Sequence, residues 1–512
     1  MVEHLHSATL NFLRHSRYDL ELPFSLLLPA EQEGGDTALV CHELLRLIPG
    51  KRMVCAALWG EKRVVVKLFL DRHKSRRHWR RELQGVKALA AAGIATPPLL
   101  FAGRILSGTL PIIIFTELQP ATTLLALWSV ARDADGDSAS DAAGRAGQVR
   151  RGLLGAVLAA IAEHHQCGLL QSDIHWSNFL FSENQVFTID GDAVDSRGLG
   201  RELGREKSLH NIALFLAEPY PGIDRELGFI WQSYCRSRNW LPEPGEVERL
   251  QALLRHCRRQ KAEKYAAKSQ RNCTDFAVFQ DNRSWRSLNR RYQGPDLDEL
   301  LTRPDEFMAA GEVLKAGNSA TVVKLNYGDV PLPEGVSLVV KRYNIKNFKH
   351  ALSRCWRPSR ALVSWQNAQR LSWWRIATPK PVAVLEKRKL GLRSTACFIS
   401  EYVAGSNALV TLLRSDSSAQ EIAFWLAQFA VLLQQLLDAG LSHGDFKATN
   451  FLCGADRCLY LLDLDAMRYW PRLGPAYRKA VERDHRRLLQ NWRAEPELER
   501  AFQKIIENLR MP

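Results

Sequence analysis

The chain has 512 residues, of which 46% are hydrophobic and 24% charged, and its formal net charge is +15. This length exceeds what one hydrophobic core supports, and the composition is ordinary for a globular protein rather than a disordered or fibrous one. The positive charge favours an anionic partner, such as nucleic acid, acidic lipid headgroups or a phosphorylated substrate.

The N-terminus has no basic segment followed by an apolar run, so we expect no signal peptide. The strongest apolar stretches, at 64–66 and 110–115, are strand-length and much shorter than the roughly 20 residues that cross a bilayer. Ten cysteines without metal-binding spacing are typical of thiols in a reducing compartment. These features predict a cytoplasmic protein.

Predicted elements of the first half begin with a β-branched strand at 64–70. A helix follows, because apolar side chains recur at helical spacing between residues 79 and 90. A further strand ends at residue 117, and the segment 131–148, rich in Ala, Asp, Gly and Ser, is predicted to be a mobile loop. An apolar helix at 153–165 then leads into a polar motif.

The second half repeats this order. A basic helix at 250–271 precedes an alternating segment at 276–291 that predicts a strand hairpin, and we place a domain boundary near residue 260. Strands at 337–343 and 397–401 follow, and an apolar helix at 422–439 leads into a second polar motif.

Matched segments indicate an internal duplication. Ile-Ala-Thr-Pro at 94–97 recurs 282 positions later, Val-Val-Lys ending at Lys67 recurs 274 positions later, and the polar motif recurs 272 positions later. Similar offsets at separate points favour duplication with loop insertions over coincidence.

Each polar motif has an Asp, an Asn five positions later and a second Asp after a short hairpin. The residues are Asp173, Asn178 and Asp190 in the first copy, and Asp445, Asn450 and Asp463 in the second. In kinase-like phosphotransferases the first Asp orients the acceptor hydroxyl, while the Asn and second Asp hold Mg²⁺. The sequence thus predicts an α+β fold of two tandem kinase-like domains, 1–260 and 261–512, each with a β-rich N-lobe and a helical C-lobe, that use ATP and Mg²⁺.

Other residues are predicted to contact the nucleotide. Lys67 and Lys341 lie in apolar strands where phosphate could neutralise them, although a surface lysine is the alternative. Glu82 is the expected partner of Lys67, whereas the aligned residue of the second copy is Ser364 and no acid stands there. The basic loop at 48–52 either holds phosphate or faces solvent. The remaining predicted nucleotide contacts are Gly317, Asn318 and Ser319 in a small-residue loop, and Glu117, Leu118, Glu401, Tyr402 and Val403 at strand ends.

The second half resembles the bacterial lipopolysaccharide core kinases, the Kdo/heptose (WaaP-type) sugar kinases. The resemblance rests on segments that include Leu-Lys-Ala-Gly-Asn-Ser-Ala-Thr at 314–321, Val-Val-Lys-Arg-Tyr-Asn at 339–344 and His-Gly-Asp-Phe-Lys at 443–447. It spans most of residues 300–470, and the first half resembles the family more loosely.

This resemblance implies ATP-dependent phosphorylation of a heptose or Kdo hydroxyl on the lipid A–core at the inner face of the cytoplasmic membrane. It implies Asp445 and Asp173 as catalytic bases, Lys447 as a stabiliser of the transferred phosphate, and Lys341 as the phosphate lysine. It also accounts for the positive charge, since the substrate is anionic and membrane-anchored; we therefore expect peripheral membrane association and no nucleic acid.

Two alternatives stay open. The first copy has His175 where the second has Lys447, and the second lacks the helix acid, so either copy could be a non-catalytic regulatory module. A protein or small-metabolite kinase is the other alternative, although neither copy has an Ala-Pro-Glu segment after its second Asp.

Overall fold

The computed structural model describes residues 2–15, 20–28, 37–133, 140–218, 223–326, 335–344, 358–389, 392–414 and 417–511. The chain divides into two compact units, Met1–Leu254 and Arg255–Pro512. In each unit a large sheet comes first and helices dominate afterwards, so the fold class is α+β.

The first unit begins with a six-stranded antiparallel sheet in the order β1-β2-β3-β4-β6-β5. Its strands are β1 Phe24–Leu28, β2 Thr37–Ile48, β3 Arg52–Trp59, β4 Lys62–Phe69, β5 Leu99–Ile105 and β6 Leu110–Thr116. Helix α1 (Val2–His15) precedes the sheet, and α2 (Ser75–Ala91) lies between β4 and β5 in the chain. Val64, Val66 and Leu68 of β4 alternate into the core, as expected for a strand with one buried face.

Helices and short strands make up the rest of the first unit. The helices are α3 Leu124–Asp133, α4 Ser140–Gln166, α5 Arg205–Phe215, α6 Leu227–Ser237 and α7 Glu246–Lys268, within which the division between the units falls. The short strands are β7 Thr122–Thr123, β8 Leu170–Gln171, β9 Phe179–Ser182, β10 Gln185–Thr188 and β11 Val194–Asp195.

The predicted mobile loop at 131–148 is wrong where the structure describes it. Helix α3 continues to Asp133 and α4 already begins at Ser140, while 134–139 lie outside the described residues. Helix α4 is held by buried Leu154 and Leu158 further along. Extending an anchored helix through an Ala-rich segment costs little, because alanine has the best helix propensity and nucleation has already occurred.

The second unit begins with a seven-stranded antiparallel sheet in the order β12-β13-β17-β18-β16-β15-β14. Its strands are β12 Phe276–Gln280, β13 Ser284–Asn289, β14 Glu312–Ala316, β15 Ala320–Leu325, β16 Leu338–Tyr343, β17 Pro381–Lys389 and β18 Leu392–Glu401. The accompanying helices are α8 Pro295–Thr302, α9 Pro304–Ala310 and α10 Arg360–Trp373. The predicted hairpin at 276–291 is confirmed as β12 and β13.

Five strands follow one another in the same spatial order in both sheets. The set β2-β3-β4-β6-β5 of the first unit corresponds to β14-β15-β16-β18-β17 of the second, and the chain enters α2 and α10 after the third of these strands. Lys67 of β4 lies opposite Val54 of β3, and Lys341 of β16 lies opposite Val322 of β15. The two lysines therefore hold the same position in the two sheets.

The remainder of the second unit is mainly helical. It contains β19 Gly405–Asn407, α11 Ala408–Leu413, α12 Ala419–Ala439, β20 Leu441–Ser442, β21 Phe451–Gly454, β22 Leu459–Leu461, β23 Arg468–Tyr469, α13 Pro475–Gln490 and α14 Pro496–Glu507. The core packs Phe429 and Leu436 of α12 against Phe451 and Phe502. Helix α12 ends at Ala439 and is capped by Gly440, whose left-handed backbone (φ 66°) suits a glycine, and the polar motif begins three residues after this glycine.

The predicted apolar helix at 422–439 is α12, and it is much longer than the strand-length stretches at 64–66 and 110–115 that the sequence pattern indicates as the strongest apolar ones. Among the described residues, this one helix of 21 residues is long and apolar enough to cross a membrane by length and composition. One of its faces carries the buried side chains of Trp425, Phe429, Leu432 and Leu436, which lie in the core of the second unit. A core helix satisfies the same test of length and composition.

Candidate active site

In the second unit Lys341 reaches the second acid of the polar motif. Its ammonium forms an ion pair with Asp463, so the missing helix acid is replaced by an acid of the motif itself. Burial alone would lower the pKa of Lys341, but the nearby carboxylates of Asp463 and Asp465 oppose burial, and the pKa is raised. The lysine is therefore held as a cation inside the cleft.

The motif from His443 to Asn450 forms a tight turn after α12 and β20. The Nδ2 of Asn450 donates to the backbone carbonyl of Asp445 at 2.8 Å, and Lys447 Nζ donates to Asp445 Oδ2 at 2.8 Å. Because the amide nitrogen of Asn450 is used within the turn, its Oδ1 is directed away from that carbonyl. The base, the lysine and the amide predicted from the sequence are thus neighbours.

Two buried side chains hold this turn: His443, which the sequence places in the motif without a role, and Asp484, which sequence reasoning missed. The carboxylate of Asp484, on α13, accepts the backbone N–H of His443 at 2.6 Å and that of Gly444 at 2.9 Å. His443 Nε2 lies 2.8 Å from the carbonyl oxygen of Leu462. A signal was present in the sequence, since Asp484 interrupts an otherwise apolar stripe of Tyr477, Val481 and Leu488 on a polar helix.

The segment after β22 presents two acids in different settings. Asp463 has a left-handed backbone, φ 57°, which is uncommon for a residue other than glycine. Burial would raise the pKa of Asp463, but Lys341 outweighs this effect and lowers it. Asp465 forms an ion pair with Arg360 of α10, and its pKa is raised by burial. Asn367 of α10 donates to two carbonyls of this segment, those of Leu464 and Met467, each at 2.9 Å.

A cavity of about 460 Å³ opens between the sheet and the helical part of the second unit. Most of the predicted site residues of this unit line it: Gly317, Ser319, Lys341, Glu401, Tyr402, Val403, Asn450 and Asp463. Asn318, Asp445 and Lys447 are not among its lining residues. The Glu401 carboxylate is held by Tyr292 at 2.5 Å and Lys380 at 3.2 Å, so this side chain is engaged within the protein.

The first unit repeats the local geometry of the polar motif. Asn178 Nδ2 donates to the carbonyl of Asp173 at 3.0 Å, and Asp190 has a left-handed backbone with φ 73°. Gln171 stands in the place of His443 and donates to the carbonyl of Ile189 at 3.2 Å. The turn is held from α5 by an amide in place of a carboxylate, since Asn211 Nδ2 donates to the Gln171 carbonyl at 2.9 Å.

The expected pairing of Lys67 with Glu82 is present. Glu82 is fully buried and also accepts the backbone N–H groups of Gly191 at 3.2 Å and Asp192 at 3.1 Å. It therefore positions Lys67 and the segment after Asp190 and has no exposed surface for a nucleotide. Burial raises the pKa of Glu82 against the opposing effect of Lys67.

Three further residues of the first unit lie near its predicted nucleotide site. Arg52, at the end of the basic loop, points inward, with its Nη1 3.5 Å from Asp190 Oδ1. Glu117 pairs with Arg63 at 2.9 Å, so its side chain is engaged. Leu118 lines a shallow surface depression together with its neighbours in the segment 117–121.

The residues that would hold Mg²⁺ are sparse. Among the residues that the structure describes, no three His, Cys, Asp or Glu side chains cluster as a metal site. Magnesium needs no such cluster, since it keeps several waters and shares substrate phosphates with one or two carboxylates. In the second unit Asn450 and Asp463 both line one cavity. Since Nδ2 of Asn450 is used within the turn, its Oδ1 and the Asp463 carboxylate are the two oxygen ligands that would suit Mg²⁺.

A strand lysine, an Asp-x-x-x-x-Asn turn and a later acid around one cleft define the second unit as a kinase-like phosphotransferase. Residues 334–508 match the family model of the lipopolysaccharide kinase (Kdo/WaaP) family. A 3-deoxy-D-manno-octulosonic acid kinase from Photobacterium damsela subsp. piscicida is 24% identical over 110 residues, which are 22% of this chain. The aligned part spans 45% of that relative's length.

Proposed function

We propose that this protein is an ATP-dependent kinase that phosphorylates a heptose or Kdo hydroxyl of the lipopolysaccharide inner core. One observation carries the proposal. The family match over residues 334–508 falls on the unit whose cavity is lined by Lys341, Asn450 and Asp463. Since the similar kinase is named for a Kdo substrate and heptose is phosphorylated by the same chemistry, the acceptor class is a core sugar.

The roles of the residues follow from their positions. Asp445 accepts a hydrogen bond from the acceptor hydroxyl and orients it, and such a base contributes roughly 10²–10⁴-fold to the rate. Lys341 binds phosphate oxygens from the sheet side, and Lys447 neutralises charge beside the base. Asn450 and Asp463 would hold Mg²⁺, which when bound offsets the charge of the phosphates. Asp484 and His443 keep the turn in place.

We further propose that both units are kinase-like domains. The support is the common five-strand order, the lysines at one sheet position and the two acids with left-handed backbones. The transfer reaction is assigned to the second unit, because this unit has Lys447 beside its base, whereas the first unit has His175 at the same place. A non-catalytic first unit is favoured by the inward-pointing Arg52, which engages its candidate metal ligand.

The net charge of +15 supports an anionic, membrane-anchored acceptor and peripheral attachment to the cytoplasmic membrane face. On α13, Arg478, Lys479, Arg483 and Arg486 are exposed on one face and line a surface depression of about 520 Å³. Each such cation near an acidic surface contributes about 1 kcal/mol.

Phosphate transfer from radiolabelled ATP to dephosphorylated core lipopolysaccharide tests the proposal. Wild-type protein with Mg²⁺ is expected to label the lipopolysaccharide, and Asp445→Asn is expected to lower the rate by at least about 10²-fold. Asp173→Asn is the matched variant of the first unit and is expected to retain activity. Absence of transfer to any core sugar, or full activity of Asp445→Asn, would contradict the proposal.

A further inference from the structure

The two sheets differ at a position that faces the motif. In β3, Arg52 lies opposite the residue two places after Lys67; in β15, Ala320 lies opposite the residue two places after Lys341. The same sheet position thus carries arginine in the first unit and alanine in the second. Ala320 lines the open cavity, whereas the arginine extends toward the acids of its unit.

Arg52 and Lys67 share one carboxylate oxygen. Arg52 Nη1 lies 3.5 Å and Lys67 Nζ lies 3.6 Å from Asp190 Oδ1, and Arg52 Nη1 also lies 3.8 Å from Glu82 Oε2. The Arg52 side chain is only 20% exposed, so these contacts are partly shielded from water. In the second unit the corresponding oxygen of Asp463 is paired with Lys341.

This arrangement does not suit a divalent cation. An incoming Mg²⁺ would have to displace two fixed cations from Asp190, whereas in the second unit it displaces one. The same two cations suit phosphate, because a guanidinium offers five N–H donors in a planar fork and an ammonium offers three. Only part of these donors is used by Asp190 and Glu82.

We propose that the first unit binds the phosphate chain of a nucleoside triphosphate through Arg52 and Lys67 without a divalent cation. The proposal rests on the proposed function only in taking the first unit as a nucleotide-binding domain. Arg52 would supply the positive charge that Mg²⁺ would supply when bound in the second unit. The first unit then differs from the second in metal requirement, even though both have the Asp and Asn of the motif.

Photoaffinity labelling of the full-length protein with 8-azido-ATP, in Mg²⁺ or in excess EDTA, tests this assignment. Mass spectrometry of the labelled peptides separates the first unit from the second. In EDTA, first-unit labelling is expected to persist while second-unit labelling is lost. Arg52→Ala is expected to lower first-unit labelling in EDTA by about tenfold, or about 1.4 kcal/mol. The labelling that remains in this variant is expected to increase when Mg²⁺ is added.

Two further variants separate charge from folding. Arg52→Lys retains a cation and is expected to keep part of the EDTA-resistant labelling, while Arg104→Ala removes an exposed arginine of the same sheet and should change nothing. First-unit labelling that needs Mg²⁺ in the wild type, or that is equal in Arg52→Ala, overturns the proposal. Loss of second-unit labelling in Mg²⁺ would instead contradict the proposed kinase function.

Discussion

At the scale of single residues, His443 couples the turn that carries Asp445 to protonation. Its ring is buried; Nε2–H donates to the Leu462 carbonyl at 2.8 Å, and Nδ1 accepts the backbone N–H of Asp445 at 3.3 Å. Both roles require the neutral imidazole, since a proton on Nδ1 removes the acceptor. Burial lowers the pKa of His443 below its ordinary value, which favours the neutral form.

Because folding lowers the pKa of His443, the turn is expected to lose stability in acid. A histidine whose pKa is lowered on folding contributes full stability above its unfolded pKa of about 6.5 and loses it as the pH falls below that value. We expect the free energy of opening of the turn to fall by about 1 kcal/mol between pH 7.5 and about pH 5.5. Native-state hydrogen exchange of peptides spanning the turn measures this quantity.

His443→Gln is the matched variant, because Gln171 makes the corresponding carbonyl contact in the first unit at 3.2 Å. This variant is expected to remove the acid-dependent loss, while His210→Gln, at an exposed position of the first unit, is expected to leave it unchanged. An equal acid-dependent loss in wild type and His443→Gln would show that the histidine is not responsible.

At the scale of elements, helix α13 supports the turn that carries Asp445. Asp484 accepts the N–H groups of His443 and Gly444 with its two oxygens, at 2.6 and 2.9 Å. In Asp484→Asn, one of these donors would face the amide NH₂ instead of an acceptor. Leaving a buried donor unsatisfied costs about 1–3 kcal/mol.

We therefore expect Asp484→Asn to reduce hydrogen-exchange protection of the turn by that amount and phosphotransfer by about tenfold or more. Nucleotide affinity of the second unit should change little, because Asp484 does not line the cavity. Glu497→Gln, on the exposed side of α14, controls for the loss of one negative charge. Normal turnover with normal protection in Asp484→Asn would contradict a supporting role.

Local patterns predicted much of this arrangement because their residues are close in sequence. The bond between Asn450 and Asp445 spans five positions, and the strands with Lys67 and Lys341 follow from β-branched runs. The contacts that were missed join distant positions: 41 for Asp484 with His443 and 138 for Arg52 with Asp190. Spacing alone carries no information on such contacts, since they depend on how a helix or a strand packs.

At the scale of the whole molecule, the distribution of charge matters more than its sum of +15. The exposed cations of α13, Arg478, Lys479, Arg483 and Arg486, lie on one face of one helix. Neighbouring cations act together on an anionic surface, whereas scattered ones are screened beyond a Debye length of about 8 Å. We therefore expect this face to govern attachment to acidic membranes.

Changing these four residues to glutamine should weaken binding to phosphatidylglycerol vesicles by about 10³-fold, since each cation contributes about 1 kcal/mol. Cosedimentation at increasing salt measures the effect, with phosphatidylcholine vesicles as the uncharged surface. A variant with glutamine at four exposed cations of α2, Arg76, Arg77, Arg80 and Lys87, has the same net charge. If the α13 face governs attachment, this variant should bind like the wild type. An equal loss in both variants would mean that total charge, and not the α13 face, drives attachment.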